Sequence, residues 1–122
     1  FRLNATFAKI RTSDYDGLVL PGGRAPEYLR LNPKVIEIIQ HFAKSNQPIA
    51  AICHGAQLLI SAKIVKGKKI SGYYSIKDDI DNAGAKFFDG PVVEDQNIIS
   101  SPHYKYLGDW MKKIFEHFQI FF

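Results

Sequence analysis

PIAAICHGAQLLI, residues 48–60, decides how this chain is read. Ile49-Ala50-Ala51-Ile52 is a short apolar run of the kind that forms a strand buried on both faces. Helical spacing begins just behind it. Gly55 to Val65 reads as a helix with Leu58, Leu59, Ala62 and Val65 inward and Gly67 as its stop. Cys53, the only cysteine, stands at the junction. Residues 51–55, Ala-Ile-Cys-His-Gly, run small, any, nucleophile, any, small. This is the pattern of a nucleophile elbow, a sharp strand-to-helix turn that needs small neighbours and lifts its central side chain out of the sheet. Such a turn sets Cys53 at a helix N-terminus, where unpaired N–H groups and the helix dipole favour thiolate. The N–H groups that follow can hold a developing oxyanion. A lone cysteine is more often a small buried hydrophobe. The elbow pattern, the helix start and the adjacent His54 turn the reading toward chemistry.

Working outward, strands alternate with helices. Leu18-Val19-Leu20, closed by Pro21-Gly22-Gly23, reads as another strand buried on both faces. Asn32 is an N-cap and Pro33 the first position of a helix whose stripe is Val35, Ile36, Ile38, Ile39 and Phe42; Ser45-Asn46-Gln47-Pro48 ends it. Lys69 to Tyr74 reads as a strand, and Ser75 as the cap of a short helix carrying Ile76, Ile80 and Ala83 and ending at Gly84. Ala85 to Phe88 and VVEDQNIIS follow as strands, with Asp95-Gln96-Asn97 as a hairpin turn. A last helix carries Leu107, Trp110, Met111, Ile114, Phe115 and Phe118 at positions i, i+3, i+4, i+7, i+8 and i+11. At the start, Phe1, Leu3, Ala5 and Phe7 alternate with polar residues, which predicts a strand with one wet face. The order implies one α/β domain over residues 1–122, a sandwich with a mainly parallel sheet. Ligands of open α/β sheets bind beyond the carboxyl ends of the strands. Both Cys53 and the Pro21-Gly22-Gly23 turn belong at that edge, where the glycines offer bare backbone N–H groups. His103, after Pro102 at a strand-to-helix junction, belongs there too. His41 and His117 fall within helical patterns and read as surface residues without partners.

With 122 residues and 46% hydrophobic content the chain can bury a core. No apolar run approaches the ~18 residues of a membrane span, and residues 1–10 lack the features of a signal peptide. One cysteine cannot form an internal disulfide, which favours a reducing, cytoplasmic setting. The formal net charge is +4, with one basic cluster at Lys63, Lys66, Lys68 and Lys69. No nucleic-acid motif accompanies it, and it reads as a solvated helix end and turn. One Cys and four scattered His residues lack the spacing of a zinc site.

YDGLVLPGGRAPEYLR, AAICHGAQLLISA and GYYSIKDDIDNAGA together resemble the PfpI-type family of the DJ superfamily. These are flavodoxin-like three-layer proteins related to class I glutamine amidotransferases, known as intracellular cysteine peptidases, glyoxalase III enzymes or deglycases. The likeness runs from about Tyr15 to the last helix. It implies Cys53 as nucleophile, His54 as its histidine, and Glu27 as an acidic residue completing the site of a neighbouring subunit. By sequence alone Glu27 is a charged loop residue. The resemblance further implies the backbone around Gly22 and Gly23, with the His54 N–H, as oxyanion donors, and Arg24 and Tyr73 in the pocket. It implies a homo-oligomer, a dimer or a hexamer of dimers, and no cofactor.

Two departures stand out. The family carries a strand, a helix and a hairpin ahead of the region where this chain starts, including a glutamate that touches the cysteine sulfur; residues 1–14 hold no glutamate. The fold is therefore expected to be truncated, with an exposed sheet edge. Tyr74 stands where the family usually has Pro. Three functions follow from the site: a stress-protection enzyme acting on 2-oxoaldehydes or their protein adducts, a cysteine peptidase using the same residues on a peptide, and a redox sensor through an oxidisable Cys53.

Overall fold

A computed structural model describes residues 2–118. Its frame is a four-stranded sheet in the order β1-β2-β6-β5, from Leu18–Leu20 (β1), Ile49–Ile52 (β2), Val93–Asp95 (β5) and Ile98–Ser101 (β6). β1, β2 and β6 run parallel, and β5 pairs antiparallel with β6. Period-two alternation divides the core. Ile49, Ala51 and Ile98 point to one side, and Ala50, Ile52 and Ile99 to the other. The first side is covered by α2 (Pro33–Lys44) and α3 (Ala56–Ser61), which bring Ile38, Ile39, Phe42, Leu58 and Leu59. The second is covered by α5 (Leu107–His117) through Trp110 and Ile114. The result is the expected three-layer α/β arrangement.

Local chemistry explains several boundaries. The Asn32 side chain accepts a hydrogen bond from the Lys34 N–H at 2.9 Å and caps α2, whose first residue is Pro33. Asn46 takes a left-handed backbone (φ 54°) just past the helix end. Asp95 and Ile98 face each other across a two-residue turn in which Gln96 is left-handed (φ 55°). Lys63, also left-handed, closes the turn after α3; Lys66 and Lys68 lie on the next turn, and Lys69 is the first residue of a strand rather than of a turn.

Other boundaries differ from the sequence pattern. Residues 2–7 form no strand and are exposed; Phe1 lies outside the described residues. Alternation of apolar and polar residues is by itself not enough to make a strand. Instead Phe7 and Ile10 lie along apolar grooves between β1 and α2. β1 is an edge strand, and its two faces differ: Leu20 is 5% exposed but Val19 is 51% exposed. The strand expected over Lys69 to Tyr74 stops at Ile70 (β3, Lys69–Ile70) and pairs in parallel with β4 (Lys86–Phe87) in a separate two-stranded sheet. Tyr74 to Ile76 form a 3₁₀ turn, and Ser75 lies inside that turn and does not cap α4 (Lys77–Asn82). Asp81, at the end of α4, accepts from the Phe87 N–H and from Lys77, and the two bonds hold its carboxyl below the usual range. The helix expected over Gly55 to Val65 closes at Ser61, although Ala62 and Val65 are still buried. A short helix that the pattern does not reveal, α1 (Ala25–Leu29), contains Glu27. His117 is no free surface residue: it pairs with Glu94, tying α5 to β5. The His41 ring meets Phe42 edge-on.

Among the described residues no helix is long and apolar enough to cross a membrane. The second core face depends on few side chains. Trp110 is 2% exposed and donates its indole N–H to the Ile99 carbonyl at 3.2 Å. Trp110→Ala is expected to cost about 3–5 kcal/mol. Leu107→Ala, on an exposed side chain of the same helix, should cost below about 0.5 kcal/mol. Urea unfolding midpoints of the two variants check this.

Candidate active site

The site is built where β1 and β2 end. β1 runs out through Pro21 to Gly22 and Gly23, and β2 runs into a 3₁₀ turn over Cys53–Gly55 that leads to α3. Cys53 itself is left-handed (φ 58°), a conformation that costs a non-glycine residue about 1–3 kcal/mol and persists only where the surroundings enforce it. Here the enforcing contacts are visible. A Cβ on Gly55 would lie 2.7 Å from the Leu20 carbonyl oxygen and 3.0 Å from that of Pro21. A Cβ on Gly22 would lie 2.8 Å from the Cys53 Cβ. The two strand ends are thus packed backbone to backbone, which is why the flanking positions must be small. On the opposite side the Cys53 carbonyl accepts a 3.0 Å bond from the Tyr73 N–H. The elbow is clamped between the end of β1 and the segment after β3.

Around it lies an open pocket of about 510 Å³ lined by Gly23, Arg24, Glu27, Cys53, His54, Tyr73, His103 and Tyr104. The structure therefore brings together Cys53, His54, Glu27, Gly23, Arg24, Tyr73 and His103, all singled out from the sequence. Gly22 lies against Cys53 beneath them. Adjacent residues rarely meet side chain to side chain, but the strained turn permits it here: Cys53 Sγ and His54 Nδ1 are 3.4 Å apart. Both side chains are half-buried. Gly23 is left-handed (φ 73°), and a Cβ added to it would meet nothing within 4 Å, so its backbone is bare. Glu27, in the first turn of α1, is exposed on the pocket wall, and its carboxylate makes no hydrogen bond or ion pair among the described residues. Arg24 is the exposed residue preceding that helix.

One wall is aromatic. Ring centroids run from His54 to Tyr73 at 4.8 Å, from Tyr73 to His103 at 6.2 Å, and from His103 to Tyr104 at 4.2 Å. Tyr74 leans on Tyr73 at 5.8 Å, and partial removal from water raises its phenol above the ordinary value, against the pull of Lys105. No sequence motif marks Tyr104; its position just after His103, at the end of β6, is the one available signal. Periodicity likewise misses α1, although Pro26 followed by Glu27 fits a first helical turn.

Fold and site together define an α/β protein with a strained cysteine on a nucleophile elbow, at the carboxyl edge of a parallel sheet. The chain belongs to the DJ-1/PfpI family, whose model matches residues 1–117. It is 46% identical over 112 residues to the protein named deglycase PfpI of Pyrococcus furiosus, covering 92% of this chain and 68% of that one. It is 40% identical over 100 residues to YraA of Bacillus subtilis, named as a candidate cysteine protease, covering 82% of this chain and 59% of that one. Among solved structures, a two-domain protein with DJ-1/ThiJ/PfpI-like and ferritin-like domains from Anabaena variabilis superposes with a TM-score of 0.90 at 33% identity, covering 93% of this chain and 32% of that one. The chain thus spans about three fifths to two thirds of these two curated relatives.

The clamp on the elbow makes a contrast between two glycines. Gly55→Ala forces backbone apart and is expected to destabilise by about 1–3 kcal/mol. Gly108→Ala, in α5 with open space around it, should be neutral or stabilising by up to about 1 kcal/mol. Denaturant melts of both variants read the difference directly.

Proposed function

We propose that this protein is a cysteine-dependent enzyme acting on 2-oxoaldehydes or their adducts on other molecules. The observation that carries the proposal is the left-handed Cys53 with His54 Nδ1 at 3.4 Å, presented into an open pocket. The relatives named deglycases support the same chemistry. The Cys53 sulfur adds to the aldehyde carbon, and the carbonyl oxygen takes a proton to give a hemithioacetal. His54 then moves the proton from that carbon to the neighbouring former ketone carbon, while the hydroxyl proton passes to the former ketone oxygen. The product is a thioester of a 2-hydroxy acid. Water cleaves the carbon–sulfur bond, releasing the acid and returning the proton to the thiol. In this reading the N–H groups of Gly23 and His54 stabilise the oxygen as it gains charge. None of these steps oxidises or reduces the protein.

Glu27 is assigned to orient the histidine of a second copy. Its carboxylate sits exposed on the wall with no partner in its own chain among the described residues, as a group that acts across an interface would. A homo-oligomer follows from that assignment; the family resemblance suggests a dimer or a hexamer of dimers. Hydrolysis of peptides by the same residues is the second reading. It is favoured by the open form of the pocket and by the name of the Bacillus subtilis relative. Peptide cleavage without methylglyoxal turnover would establish it. Oxidation of Cys53 by dilute peroxide with no carbonyl turnover would establish the redox-sensor reading instead.

Methylglyoxal consumption with hydroxy-acid release, without glutathione, tests the proposal. Cys53→Ser is expected to abolish it, and Glu27→Gln to lower it by about 10²-fold. Mixing the Cys53→Ser and Glu27→Gln chains should restore part of the activity, because a mixed pair contains one intact site. Activity that is unchanged in Cys53→Ser contradicts the enzyme reading, and failure of the mixture to recover contradicts the role of Glu27 across subunits.

A further inference from the structure

His103 occupies an unusual position in the pocket. It precedes a 3₁₀ turn over Tyr104–Tyr106 at the head of α5, and its Nδ1 accepts a 3.1 Å hydrogen bond from the Lys105 N–H. An imidazole nitrogen that accepts cannot carry a proton. The neutral ring must therefore hold its proton on Nε2. No described residue accepts from that Nε2, although the ring is half-buried and lines the pocket. The ring is also fixed from the side, between Tyr73 at 6.2 Å and Tyr104 at 4.2 Å. His54, by contrast, spends its Nδ1 on the cysteine sulfur. The two histidines of the pocket are thus engaged differently. One meets the Cys53 sulfur, and the other, with its Nδ1 taken by the Lys105 N–H, offers its Nε2 side beyond Tyr73.

We infer that His103 is a substrate-positioning residue, whose Nε2–H donates to a carbonyl or carboxylate oxygen on the part of the substrate remote from Cys53. This rests on the reading of Cys53 as a nucleophile that takes substrate from this pocket. The His103 ring meets Tyr73 and makes no ring contact with His54 among the described residues, so a three-carbon aldehyde held on Cys53 is a poorer match for this donor than a longer substrate. A substrate whose amide backbone continues along the aromatic wall can reach it. His103 accordingly favours carbonyl groups carried on an amino-acid or peptide frame over small free aldehydes.

Two alkylating probes test this without relying on turnover: iodoacetamide, which reaches only the thiol, and bromoacetyl-glycyl-glycine amide, whose two residues extend about 7 Å further. Cys53 alkylation by the long probe should saturate. His103→Asn keeps an acceptor for the Lys105 N–H, since Asn is a good cap, but loses the distal donor. It should raise the half-saturating concentration of the long probe about tenfold and change the iodoacetamide rate less than twofold. His103→Phe, which keeps a ring in the file, should show the same loss. Equal effects on both probes in His103→Asn, no effect on either, or retained affinity in His103→Phe would each overturn the assignment. Wild-type protein that alkylates with this selectivity but turns over neither methylglyoxal nor its amino-acid adducts would sink the 2-oxoaldehyde proposal and leave the donor role standing.

Discussion

The left-handed backbone of Cys53 is the constraint on which the site depends. A cysteine does not adopt φ 58° unaided, and nothing in its own side chain rewards it for doing so. What holds it is the packing of two strand ends, with Gly22 and Gly55 each so close to neighbouring backbone or Cβ that any side chain would collide. Those strand ends are themselves fixed by the parallel pairing of β1 on β2 and β2 on β6, through residues buried on both faces of β2. The strain at one residue is thus supported by a large part of the core. That division of labour, sheet below and strained cysteine above, keeps the Cys53 backbone in place at the strand end.

Much of this was legible in the sequence because the signals were local. The small residues around Cys53, the Asn32-Pro33 helix start and the Asp95-Gln96-Asn97 turn each act through neighbours within a few positions. The fold class followed from the alternation of buried strands and amphipathic helices, and the resemblance of PGGRAPE and AICHG to one family pointed to the positions, Glu27 and Gly23 among them, that the structure gathers around Cys53. What was not legible depends on partners distant along the chain. Residues 2–7 alternate like a strand, yet they find no ladder and form none. Tyr73 and Tyr74 look like strand residues by composition but are recruited to the elbow, where the Tyr73 N–H satisfies the Cys53 carbonyl. His117 finds Glu94 only because α5 packs beside β5.

The aromatic wall belongs to the same category. His54, Tyr73 and His103 come from three different connections, and only the strand order β1-β2-β6 brings the ends of β2 and β6 side by side. No periodicity or motif announces that the rings will meet. Once they do, the wall gives the pocket a direction, from the Cys53 sulfur toward His103 and Tyr104. In the proposed assembly the exposed Glu27 gives it a second one, toward another copy of the chain. A pocket with these features is shaped by what surrounds Cys53 as much as by Cys53.

The most direct test of the account is to expose the protein briefly to methylglyoxal, quench in acid and locate the adduct by mass spectrometry. The account predicts a single early adduct on Cys53, which disappears as the 2-hydroxy acid is released. Adducts confined to lysine and arginine side chains, with Cys53 unmodified at every time point, would contradict it.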